Sequence, residues 1–310
     1  IFMGFILSLS VVFTSLEANT AFADFNFGAA GDFGCGGNAK STMDNIKSHT
    51  TVERFLALGD YSYVSSGTCW TTIVNDKNLK SRTRITIGNH EDDNNEDYSH
   101  YTSFFGIGNP YYATTYGNVR IIVMDSDRTS FSSGSSQYNF VINELQKAAS
   151  DPNIKWKIVF IHKQFYTSPN TCGSSSCSNT ASDTTNLRNT YHPKFDQYGV
   201  DLVLNGHIHN YQRSYPIKYD SGSPSSPIVT NNHAWDYGDP NGQIYATVGT
   251  GGVNFHGLSG KSSFVKYQQD DDFGALDISI ENNGYTLAGR YYTNDGAKKD
   301  VFKLTKTGTA

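Results

Sequence analysis

Arg54-Phe55-Leu56-Ala57-Leu58-Gly59-Asp60-Tyr61-Ser62-Tyr63 passes from a short apolar run directly into a glycine and a carboxylate. A continuous apolar run of this length is what a strand buried on both faces requires, and the glycine after it lets the chain turn sharply at the strand's end. Four more stretches repeat the pattern. Residues 25–30 lead to Gly31-Asp32-Phe33-Gly34, and residues 84–87 lead to Gly88-Asn89-His90-Glu91. Residues 156–161 end in His162, and residues 200–204 run into Asn205-Gly206-His207-Ile208-His209. Ligands of open α/β sheets bind beyond the carboxyl ends of strands, so these clusters are predicted to converge on one crevice.

Helical patterns separate the strands. Tyr138, Val141, Ile142, Leu145, Ala148 and Ala149 share one helical face, and another helix is predicted to end at Tyr198 with Gly199 as its cap. Beyond Arg213 the pattern turns to strands at 244–248, 274–280, 285–292 and 301–304, which suggests a second sheet packed on the first. The fold expected is α/β, with two mixed β-sheets packed as a sandwich flanked by helices, in a single domain over 24–310. Residues 167–189 and 220–242 read as long irregular loops with a functional purpose.

Composition narrows the classes. With 310 residues, 20 Tyr, 19 Phe and 3 Trp, the chain can fill a large core, which rules out disorder, collagen and coiled coils. Its 24 basic and 29 acidic side chains give a net charge of −5 with no basic run, so nucleic acid is not an expected partner. Residues 1–13 are almost wholly apolar and are followed by Ala21-Phe22-Ala23, the form of a signal-peptidase site. Residues 1–23 are therefore expected to be a signal peptide without its charged start, cleaved before Asp24. The mature protein is expected to be secreted or periplasmic and free of the membrane.

The 4 cysteines are Cys35, Cys69, Cys172 and Cys177, with no C-x-x-C pair to suggest structural zinc. In an exported chain disulfides are the better reading, and the pairing expected is Cys35–Cys69 and Cys172–Cys177. The second bridge would close a Gly/Ser-rich loop tip. The crevice itself collects two Asp, one Asn, three or four His and a Tyr. Oxygen and imidazole donors in this number suit two transition-metal ions with positions left for water and substrate. Any one of these residues alone would read as a helix cap or a turn. Their joint recurrence at strand ends reverses that reading.

The succession GD, GDYSY, GNHE, a strand ending in His, and GHIH resembles the calcineurin-like metallophosphoesterases, and in detail the purple acid phosphatases among them. The match spans residues 30–213. Gly34 stands where the wider superfamily generally has a His, and Tyr63 supplies the phenol that purple acid phosphatases use instead. The resemblance implies a ferric site of Asp32, Asp60, Tyr63 and His209. It implies a second site of Asp60, Asn89, His162 and His207 for divalent Fe, Zn or Mn, with Asp60 bridging. The implied activity is acid phosphatase: metal-bound hydroxide attacks a small phosphomonoester while His90 donates to the phosphate or leaving oxygen. Related alternatives are a cyclic phosphodiesterase or nucleotidase on the same metals, and a catalytically silent binding module.

One departure concerns the loop after His162, where family members often carry a further His. Lys163 or His256 is the expected substitute for binding substrate, and His192, placed at the start of a helix before Pro193, is expected to be structural. The acidic run 91–97 reads as a helix N-terminus, and Asp125 and Asp127 as caps or supports of the crevice. A fibronectin-like N-terminal domain is not expected, which would make this a minimal catalytic form.

Overall fold

Period-two alternation sorts the central strands between two cores. In the computed structural model, which describes residues 24–49, 53–92 and 95–307, Ile121, Val123, Ile158, Phe160, Leu202 and Leu204 enter one core. Their neighbours Ile122, Met124, Val159, Ile161 and Val203 enter the other. Successive side chains of a strand point to opposite faces, so a sheet made of continuous apolar runs must be covered on both. The first core is shared with Phe27, Ala29, Leu56, Leu276, Ile278 and Leu304 of a second sheet. Helices Ser136–Ser150 and Ser182–Tyr198 complete the other with Val141, Leu145, Leu187, Tyr191 and Phe195.

Each large sheet among the described residues has seven strands. In spatial order, one runs Asp236–Gly238, Lys298–Thr305, Thr286–Thr293, Gly274–Glu281, Phe25–Ala30, Arg54–Ala57 and Thr83–Ile85. The other runs Val265–Gln269, Tyr211–Ser214, Ile244–Val248, Leu202–Asn205, Trp156–Phe160, Val119–Val123 and Tyr112–Tyr116. The first three strands of the chain pair in parallel, and Phe25–Ala30 pairs antiparallel with Gly274–Glu281. Both sheets are therefore mixed and packed as a sandwich, as expected.

The allocation of strands corrects the sequence reading. The late strands do not form a sheet of their own: those at the C-terminus join the first three, while Ile244–Val248 inserts beside Leu202–Asn205. Polar side chains tie the sheets across the core, Arg213 holding Asp300 at 2.6 and 2.8 Å and the Tyr211 hydroxyl donating to Asp300 at 2.9 Å.

Two predicted loops contain regular structure. The helix Ser182–Tyr198 begins inside 167–189, so His192 lies well within it rather than at its start, and Pro193 sits inside it; Gly199 caps it with φ of 63°, as predicted. Residues 220–242 supply the short strands Ile228–Val229 and Asp236–Gly238, the latter extending the edge of the first sheet. On the helix Ser136–Ser150, capped by the Ser135 hydroxyl, Ala149 turns to solvent while Glu144 is buried against Arg120. The expected disulfides both form, with Cα separations of 5.8 Å for Cys35–Cys69 and 6.1 Å for Cys172–Cys177. The stretch 1–23, with its predicted cleavage site, lies outside the described residues, and among those described no helix is long and apolar enough to cross a membrane.

Candidate metal centre

Parallel strands of both sheets deliver their carboxyl ends to one edge, and the turns there are forced into unusual backbone. Asp32, Asp60, Tyr63 and His207 have φ of 62°, 54°, 55° and 67°. A non-glycine residue in this region costs about 1 kcal/mol or more, and such strain concentrates at functional sites. The packing around the carboxylates is equally tight: a Cβ on Gly88 would lie 2.2 Å from Asp60 Oδ1, and one on Gly206 would lie 2.6 Å from Asp32 Oδ2. Glycine at these positions is what allows the turns to close on the acids.

All seven side chains singled out from the sequence meet at this edge. Asp60 Oδ2 lies 3.2 Å from His162 Nε2 and 3.3 Å from the Tyr63 hydroxyl. On one side, the Tyr63 hydroxyl is 3.2 Å from Asp32 Oδ1 and 2.9 Å from His209 Nε2. On the other, Asn89 Oδ1 is 3.3 Å from His162 Nε2 and 2.9 Å from His207 Nδ1. The outer nitrogens of two imidazoles rest on backbone carbonyls, His162 Nδ1 on Leu58 O at 2.8 Å and His209 Nδ1 on Asn254 O at 2.8 Å. In the neutral rings those nitrogens carry the proton, so both Nε2 lone pairs face the cleft.

The cluster demands positive charge. Asp32 is fully buried and Asp60 nearly so. Burial pushes His162 down, but Asp60 and then Asp32 outweigh it and raise its pKa to about 10. Burial likewise pushes Asp60 up, and His162 beside it holds that carboxyl well below the usual range. In the protein alone a proton on His162 balances the acids. Burial, then the charge on His162, drives His207 down to about 3, leaving its imidazole neutral. Two buried carboxylates, a phenol, an amide oxygen and three imidazole nitrogens form a donor set that fits two cations sharing Asp60. Asp32, Asp60, Tyr63 and His209 could hold one, and Asp60, Asn89, His162 and His207 the other.

Around this set the remaining candidates divide. His90 stands over Tyr63 with ring centroids 4.1 Å apart, its side chain 42% exposed and its Nε2 3.9 Å from Asp60 Oδ2. His256 stacks on His209 at 3.8 Å, and its Nδ1 accepts from the His209 backbone N–H at 3.1 Å. Burial and the neighbouring His209 push His256 down to about 4, so its neutral ring carries its proton on Nε2. Lys163 is held between Asp127 and Asp183, each at 2.8 Å. Asp125 is a turn cap, accepting from the backbone of Asp127 and Arg128 and from the Thr129 hydroxyl. Fully buried His192 shares a hydrogen bond with the Tyr166 hydroxyl, its Nδ1 lying 2.8 Å from that oxygen.

Two residues escaped the sequence reading. Glu91, expected to be part of an ordinary helix start, is 1% exposed and accepts from the backbone N–H groups of Asp60, Tyr61 and Gly88 at 2.9, 2.7 and 2.9 Å. It fastens two ligand-bearing turns to each other, and its place within Gly88-Asn89-His90-Glu91 was the available signal. Burial and then the Asp60 charge raise it to about 8. Ser176, in the loop closed by Cys172–Cys177, puts its Oγ 3.1 Å from His207 Nε2. Nothing in its Ser-rich surroundings distinguished it.

Residues 25–211 match the calcineurin-like phosphoesterase family, and the chain belongs to that family. Within it the chain is purple acid phosphatase-like. Purple acid phosphatase 1 of Ipomoea batatas is 26% identical over 306 residues, covering 90% of this chain and 61% of that one. Fe(3+)-Zn(2+) purple acid phosphatase 12 of Arabidopsis thaliana is 27% identical over 257 residues, covering 76% of this chain and 51% of that one. Purple acid phosphatase PPD1 from yellow lupin seeds shares the fold with a TM-score of 0.76 at 20% identity, over 92% of this chain and 54% of that chain. The chain thus spans between 51% and 61% of the length of these relatives.

Proposed function

We propose that this chain is an exported acid phosphatase that hydrolyses small phosphate monoesters at a dinuclear centre of Fe(III) and a divalent Fe, Zn or Mn ion. The observation that carries the reading is the place of Asp60, whose Oδ2 lies within 3.3 Å of both Tyr63 and His162, the side chains that begin the two halves of the donor set. A relative named for an Fe(3+)-Zn(2+) pair supports the choice of metals. The apolar start and small-x-small pattern of residues 1–23, with two disulfides, support export.

When bound, the cations neutralise phosphoryl oxygens and lower the pKa of water at the site. The chain's own residues do the rest. Asp60 fixes the spacing of the two halves, and Glu91 holds the turns that carry Asp60 and Asn89. His90, at the open rim, protonates the leaving oxygen, and the Nε2–H of His256 donates to the bound phosphate. Lys163, shared between two carboxylates, braces the loop after His162 rather than meeting substrate.

Rates on matched monoesters and diesters test the reading: p-nitrophenyl phosphate against bis(p-nitrophenyl) phosphate, and glycerol phosphate against a cyclic nucleotide. The monoesters should be turned over at least tenfold faster, and removal of metal by a chelator should abolish both activities. Preference for the diesters would point to a phosphodiesterase on the same fold, and activity indifferent to metal removal would overturn the mechanism.

A further inference from the structure

We infer that the loop closed by Cys172–Cys177 is a positioning clamp for the divalent site, acting through Ser176 on His207. The inference rests on the two-cation reading above. A ligating imidazole uses one nitrogen, and the partner of the other nitrogen fixes its tautomer and orientation. His162 and His209 find that partner in the backbone, at Leu58 O and Asn254 O. His207 is turned the other way. Its Nδ1 faces Asn89 Oδ1 at 2.9 Å and His162 Nε2 at 3.3 Å, so the outer nitrogen is Nε2, and the group beside it is the Ser176 hydroxyl at 3.1 Å.

That hydroxyl can accept. Ser176 Oγ lies 2.9 Å from Ser174 Oγ, to which it can give its own proton while receiving the one on His207 Nε2. The turn that carries it is pinned from several directions. The Ser176 carbonyl accepts from Gln164 Nε2 at 2.9 Å, the Cys177 N–H donates to Ser174 O at 3.3 Å, and the Cys177 carbonyl accepts from Asn170 at 3.0 Å. Gly173 and three serines between the cysteines would otherwise leave this turn among the freest in the chain. The bridge also borders the other half of the site, its sulfurs and a His256 ring nitrogen lying within 4.8 Å of one another. A disulfide closing a short loop thus converts a Gly/Ser turn into a fixed acceptor for His207 Nε2.

Zinc binding to the metal-free full chain, followed by equilibrium dialysis, tests the clamp. Ser176→Ala should weaken one of two zinc equivalents by about 10- to 100-fold and leave the other unchanged. Ser176→Thr, which keeps the hydroxyl, should restore most of the affinity. Cys172→Ser with Cys177→Ser should weaken the same equivalent, and adding Ser176→Ala to that pair should cost little more. Ring ¹⁵N spectra of the zinc form should show His207 protonated at Nε2 in the wild type and lose that single tautomer in Ser176→Ala. Unchanged zinc affinity in Ser176→Ala, or an equal loss at both equivalents, would overturn the clamp alone. Failure of the wild-type chain to bind two equivalents would overturn the two-cation reading and the clamp with it.

Discussion

A phenol set between two buried carboxylates keeps its proton firmly. Burial, then Asp32 and Asp60, push Tyr63 well above its ordinary value, so the more Lewis-acidic a cation is, the more readily it takes the proton's place, while a divalent ion such as zinc binds there more weakly. That is the physical ground for proposing Fe(III) at the Tyr63 half and a divalent ion at the half built from Asn89, His162 and His207. His90 differs from all of these in facing solvent over the ring of Tyr63. Nitrophenolate leaves without a proton and an alkoxide does not, so a proton donor matters mainly for alkyl esters. His90→Ala should slow glycerol phosphate by on the order of 10² and nitrophenyl phosphate far less. If His90 only packs on Tyr63, initial rates on the two esters would fall together.

At the scale of elements, the helix Ser182–Tyr198 carries a group whose charge state matters for stability. Burial pushes His192 down to about 4, a stronger effect than the raising influence of Asp196, which lies 3.6 Å away. Arg188 and the rings of Tyr166, Tyr219 and Tyr245 also face it. In the unfolded chain a histidine titrates near 6.5. Between roughly pH 6.5 and 4 the unfolded state therefore binds a proton that the folded state refuses, and stability falls as pH drops through that window. In His192→Gln the loss of Tm between pH 7 and 4.5 should be smaller than in the wild type. An equal loss in both proteins would rule out His192 as a source of acid instability.

The same scale shows what was legible in the sequence. Apolar runs ending in Gly-Asp, Gly-Asn-His or Gly-His-Ile-His announced both the strands and the side chains at their ends, because a buried strand must be apolar and a metal cluster must be polar. The strand Tyr211–Ser214 was not legible. It carries the polar Gln212 and Arg213 rather than an apolar run, yet it is buried throughout because Asp300 of the other sheet pairs with Arg213. Nor could periodicity show which sheet a strand enters, since alternation fixes faces and not partners. The start of the helix at Ser182 was hidden by a Ser/Thr/Asn-rich sequence with Pro193 inside it. Glu91 and Ser176 escaped because their importance lies in backbone and side-chain partners that only the assembled turns provide.

For the molecule as a whole, the site belongs to neither sheet alone. Asp32, Asp60, Tyr63 and Asn89 follow strands of one sheet and His162, His207 and His209 follow strands of the other, so the donor set exists only when the sandwich is closed. The Asp32 carboxylate accepts from the His207 backbone N–H at 3.0 Å, which ties the two sheets at the centre itself. Cations bound there are bound to the folded state, and their loss should lower stability as well as abolish turnover. Elemental analysis of purified wild type beside Asp60→Asn tests this account most directly. The wild type should carry two metal ions per chain, one of them iron and the other iron, zinc or manganese, and Asp60→Asn should lose metal from both positions. An active wild type with fewer than two ions, or an Asp60→Asn variant that retains both, would contradict the account.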